Sequence, residues 1–153
     1  MNSDFKDLLK AFNDAEVKYL VVGGWAYAEY VEPRYTKDLD VWTEASIDNA
    51  DRVLTALRAF GAPLNDLSSA DLSSLGTVYQ IGLPPNRIDI ITDADGIVFA
   101  DCWPRKKVVQ LGDLNINYIS VVDLLRNKES TGRLQDQADA EHLRHSIEIN
   151  EKS

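Results

Sequence analysis

The stretch that most constrains this chain runs over residues 19–42, YLVVGGWAYAEYVEPRYTKDLDVW. Residues 17–22 form an apolar, β-branched run too short for a helix and read as a buried strand. Gly23 and Gly24 follow at once, allowing backbone angles closed to other residues and a close approach to the main chain. Residues 25–31 then suit a short helix, which Pro33 stops. This is either a plain strand-to-helix turn or a turn whose helix N–H groups favour an anion. Past the proline, Asp38 and Asp40 alternate with Leu39 and Val41. Successive strand side chains point to opposite faces, so the two acids share one face, with Arg34 and Thr36 if the strand extends back that far. Neighbouring carboxylates repel, and one would protonate unless a cation held both. A hard divalent ion such as Mg²⁺ prefers such oxygen ligands.

The remaining chain reads as an α/β frame. A helix opens near Ser3, its expected cap, with Phe5, Leu8, Leu9 and Phe12 on one face. The pattern over 46–60 predicts the clearest helix, capped by Ser46, striped by Ile47, Ala50, Val53, Leu54, Leu57 and Phe60, and ended by Gly61 and Pro63. Residues 65–74 read as a loop with at most one short helix. Strands are predicted over 77–83 and 87–92, joined by Pro84-Pro85-Asn86, and over 107–111 and 114–119 around Gly112-Asp113. In the RIDIIT run, Ile88 and Ile90 face the core and Asp89 faces away with Arg87. Asp89 wants a partner, an arginine or a metal. Residues 97–102 fit a helix or a strand equally. Ser120 and Asp123 start a helix that carries Lys128 at its end. After Gly132 a last helix starts near Leu134. Asp136 and Asp139 there suit its dipole, His142 and His145 read as surface residues, and the end, 150–153, reads as frayed.

Composition narrows the classes. At 153 residues the chain is expected to form one domain, 1–153, with a helical C-terminal part over about 120–147. A formal net charge of −9 argues against non-specific DNA binding, which needs a basic surface. One cysteine, Cys102, excludes an internal disulfide and suits a reducing compartment. There is no signal-like apolar block at the start and no apolar run that would span a membrane, so a cytoplasmic location without membrane contact is expected.

Taken together, a Gly-Gly turn, two acids on the next strand and a third on a later strand make the pattern of a phosphoryl-transfer site. The segments VVGGWA (21–26), RYTKDLDVW (34–42), GTVYQIGLPPNRIDIIT (76–92) and DLLRNKESTGRLQDQAD (123–139) resemble the nucleotidyltransferase-fold superfamily. Within it, the chain is similar to small bacterial AbiEii-like toxin nucleotidyltransferases, over most of residues 17–143. The resemblance implies a mixed, twisted sheet flanked by helices with C-terminal helices. It implies Asp38, Asp40 and Asp89 as ligands of Mg²⁺, or of Mn²⁺ in its place, and Gly23, Gly24, Arg34, Thr36, Lys128 and Arg133 as ATP- or GTP-binding residues. Lys128 and Asp136 would join the three acids in catalysis. Gln135 departs from the lysine that many relatives carry before the acid. The implied reaction moves an NMP from an NTP to a hydroxyl of RNA or protein, as in the toxin of a toxin–antitoxin pair with an antitoxin partner. The alternatives are a small-molecule acceptor such as an antibiotic, or a nucleotide-binding regulatory module without turnover.

Overall fold

A computed structural model describes residues 1–33, 38–83 and 86–152. Arg34 and Thr36, two of the expected nucleotide-binding residues, lie outside the described residues, as does most of the Pro84-Pro85-Asn86 connection. Six strands form one mixed sheet: β1 (Tyr19–Val22), β2 (Leu39–Thr43), β3 (Val78–Ile81), β4 (Ile88–Ile91), β5 (Lys107–Leu111) and β6 (Leu114–Tyr118). Their spatial order is β3-β4-β2-β1-β6-β5. β1 runs antiparallel to β2, and β2 runs parallel to β4, which places the two acid-bearing strands side by side. The β3–β4 and β5–β6 pairs are antiparallel, as the turn signals predicted.

Helix α1 (Ser3–Asp14) buries Phe5, Leu8, Leu9 and Phe12, the stripe its spacing predicts. Its cap is Asn2, not Ser3: the Asn2 side chain accepts the Phe5 N–H. Helix α2 (Gly23–Tyr30) begins on the first glycine rather than after the pair. Helix α3 (Ile47–Phe60) packs against α1; Ser46 caps it and Gly61 closes it at φ 91°. Ile47 leaves the expected apolar stripe and lies exposed at the helix start. Two short helices follow, α4 (Ser69–Leu72), held by a Ser68–Asp71 capping box, and α5 (Phe99–Cys102), which decides the ambiguous segment as helix.

At the C-terminus, α6 (Val121–Ser130) and α7 (Leu134–Lys152) pack on each other and against α2. Ser146 Oγ donates to the Tyr30 carbonyl, and Tyr27 Oη lies 3.0 Å from His142 Nδ1, so α7 is tied along α2. The helix continues to Lys152, past the point expected to fray. The core is one apolar cluster built on β1, β2 and β4, with Trp42, Tyr19, Phe5 and Phe12 among its largest fully buried side chains. Such burial, about 25 cal/mol per Å² of apolar surface, fixes the sheet from which the polar site projects. Among the described residues no helix is long and apolar enough to cross a membrane.

Candidate active site

The site begins with register. Parallel pairing sets Leu39 against Ile88 and Asp40 against Asp89, so the two carboxylates leave neighbouring strands at the same level and on the same face. The apolar residues between them, Leu39, Val41, Ile88 and Ile90, are all buried on the other side. A one-residue slip of either strand would send its acid into the core, so the alternation that packs the sheet also positions the acids. Asp38, just before β2, has the same parity as Asp40.

Arg87 joins the outer acids. Its guanidinium stands 3.0 Å from Asp38 Oδ2, donates to Asp89 Oδ2 at 3.2 Å, and brings Nε within 3.0 Å of Asp89 Oδ1. The last contact is a charge pair without hydrogen-bond alignment, and Asp38 Oδ1 is likewise buried without a hydrogen-bond partner among the described residues. Asp89 thus has an arginine partner, one of the two kinds its sequence position calls for. Asp40 lacks such support. Its carboxyl is pushed up to about 6, first by burial and then by the charges of Asp89 and Asp38; Arg87 and Lys128 pull the other way.

Gly23 closes the site from above. Its φ is +67°, in the region that favours glycine, and a β-carbon there would collide with Asp40 Oδ2. The first turn of α2 therefore lies directly against the Asp40 carboxylate. Val22, at the cap position, offers this turn no side-chain acceptor.

Lys128 arrives from α6 as a buried ammonium that donates to Asp136 Oδ1 at 3.0 Å and Asp139 Oδ2 at 2.9 Å. Its charge reaches Asp40, as the pull on that carboxyl records. Asp136 also accepts from Thr131 Oγ1 at 2.6 Å and from Arg133 Nε at 2.8 Å. Burial alone would raise its pKa, but these hydrogen bonds and the charges of Lys128 and Arg133 hold it below the ordinary carboxylate value. Asp136 is thus held in its charged form and anchors Lys128. Arg133, largely exposed, donates Nε to Asp136. Asp139 escaped sequence reasoning. The helix dipole suffices to account for it in the sequence, yet it is 1% exposed and accepts from both Lys128 and Gln135. Its spacing of three from Asp136, which puts both acids on one face of α7, was the available signal.

The donor chemistry suits a hard divalent cation: three carboxylates, one of them charged only against burial and its two acidic neighbours, and, among the described residues, two buried oxygens without aligned donors. Among the described residues, however, no three histidine, cysteine, aspartate or glutamate side chains already surround one point. Arg87 holds two of the three acids.

No family model matches the chain, and no curated protein matches it by sequence. Solved structures do. The lincosamide antibiotic adenylyltransferase LnuA, bound to lincomycin, superposes with a TM-score of 0.58 at 17% identity, over 94% of this chain and 96% of its own. ANT(2″)-Ia, in complex with adenylyl-2″-tobramycin, gives 0.57 at 12% identity over 94% and 87%. An antigenic nucleotidyltransferase-like protein from Paracoccidioides brasiliensis gives 0.53 at 14% identity over 97% and 78%. The chain has the fold of the nucleotidyltransferases, a six-stranded mixed sheet flanked by helices.

Proposed function

We propose that this protein is a nucleotidyltransferase that moves an NMP from an NTP to a hydroxyl acceptor and releases pyrophosphate. The observation that carries the reading is the side-by-side placement of Asp40 and Asp89 across β2 and β4, beneath the glycine-started helix α2. In this reading Asp38, Asp40 and Asp89 would hold Mg²⁺, which when bound would supply positive charge against the triphosphate and the leaving pyrophosphate. The uncapped first turn at Gly23 and Gly24 receives phosphate oxygens, since free N–H groups and the helix dipole both favour an anion there. Lys128, oriented by Asp136 and Asp139, supplies fixed positive charge where negative charge builds. Arg34 and Thr36 remain candidates to contact the nucleotide, and ATP or GTP is the natural donor to try.

Two acceptor classes compete. An RNA or protein hydroxyl would fit an AbiEii-like toxin with an antitoxin partner. A small hydroxylated molecule fits better with two observations: the net charge of −9, unwelcoming to a polyanion, and near end-to-end superposition on LnuA, a protein that acts on an antibiotic. Incubation with labelled ATP or GTP and Mg²⁺, across small-molecule and RNA acceptors, should release pyrophosphate. Asp40→Asn with Asp89→Asn should reduce that release to background. Undiminished release in the double variant would remove the reading. Expression in a bacterial host divides the acceptors: raised antibiotic tolerance speaks for the small molecule, arrested growth for the toxin.

A further inference from the structure

We propose that Arg87 is the built-in counter-cation of the acidic trio, and that a divalent ion enters the site only by displacing it. The inference rests on the reading of Asp38, Asp40 and Asp89 as a metal-holding set, and adds a device that sets how readily the set opens. It starts from the sequence: Arg87 and Asp89 share parity in the RID triplet, so both leave β4 on the acid face. Parallel pairing then brings Arg87 beside Asp38, because Leu39 lies against Ile88 and donates its N–H to the Arg87 carbonyl. The guanidinium thus joins the acid just before β2 to the acid on β4, at 3.0 Å from both Asp38 Oδ2 and Asp89 Oδ1.

Those are oxygens that a metal would need, and one set of lone pairs cannot serve both cations at full strength. The fork of the guanidinium, with its delocalised single charge, suits two separate carboxylates. It leaves Asp38 Oδ1 buried without a hydrogen-bond partner, a defect that a divalent ion could repair. Arg87 can also leave. Its side chain is 30% exposed, so the head can swing into water while the stem stays on the sheet. If the arginine-free form is about a tenth of the population, the apparent metal affinity is about tenfold weaker than the intrinsic one.

The test needs no nucleotide. Mn²⁺ binding is followed by the paramagnetic resonance of the free ion in wild type, Arg87→Gln and Arg87→Lys, each checked for fold by circular dichroism. Arg87→Gln is expected to bind Mn²⁺ about tenfold more tightly, with Arg87→Lys between the two. It should also melt lower than wild type without metal and gain more on adding it. Equal or weaker binding by Arg87→Gln, alongside measurable wild-type binding, overturns the displacement and leaves the metal reading intact. Absence of Mn²⁺ binding in every protein overturns both. Should Arg87→Gln fail to fold, wild type decides: the ¹⁵N–¹H resonance of Arg87 Nε should shift or broaden as Mg²⁺ is added. A signal unchanged while Mg²⁺ binds refutes the proposal.

Discussion

Asp40 sits against a glycine backbone on one side and two acids on the other, and this shapes how stability responds to pH. Its folded pKa of about 6 stands above the ordinary 3.8, so the native state holds a proton that the unfolded chain has released. Stability therefore declines as pH rises from about 4 to 6 on this account, and levels above it. Asp40→Asn removes the penalty. Urea melts should find the variant more stable than wild type at pH 7.5, by on the order of 1–3 kcal/mol. The advantage should vanish near pH 4. Saturating Mg²⁺ should stabilise wild type over the variant, because the ion favours the ionised carboxylate. Cys102 makes a useful contrast. Burial pushes its thiol up to about 11, so it stays protonated at neutral pH and unreactive.

Elements hold these residues in place, and two joints tie them to the site. Gly23 and Gly61 both have positive φ, but only at Gly23 would a β-carbon strike another group. Gly61→Ala should cost about 1 kcal/mol, the ordinary penalty of a left-handed alanine. Gly23→Ala should cost clearly more in thermal melts and weaken Mn²⁺ binding as well, since Asp40 must move. The second joint is Lys128, which clamps α6 to α7. Lys128→Met takes the shared ammonium away from two buried acids and should destabilise by about 3–5 kcal/mol in urea. Most elements were legible because hydrophobic period and turn chemistry agreed, as in α1, α3 and both antiparallel hairpins. The cap at Asn2 and the exposed Ile47 were not, because both depend on which residue the first turn leaves outside. Nor was Asn49 legible as a structural residue. Buried on α3, it donates to the Lys18 and Glu44 carbonyls and accepts from the Lys18 N–H, contacts set by tertiary approach alone.

At the scale of the whole molecule, parity told which acids share a face, but not that β2 and β4 would be neighbours. That adjacency is a property of the sheet order, which local pattern does not encode. The resemblance to nucleotidyltransferases bridged the gap, and the Lys128–Asp136–Asp139 cluster emerged only when α6 met α7. If the site binds as proposed, Mg²⁺ with ATP or GTP should raise the melting temperature of the intact chain. At a ligand concentration a hundred times the dissociation constant the stabilisation is about 2.7 kcal/mol. A melting curve indifferent to every NTP would count heavily against the reading. The parallel β2–β4 neighbourhood has a temporal side too. Hairpins β3–β4 and β5–β6 can close from nearby chain, whereas β2 must wait for a distant stretch to be made and to arrive. The nascent polypeptide is therefore expected to be chemically silent, its reactive centre completed among the last events of maturation. Stopped-flow refolding should show Mn²⁺ capture lagging behind the return of secondary structure.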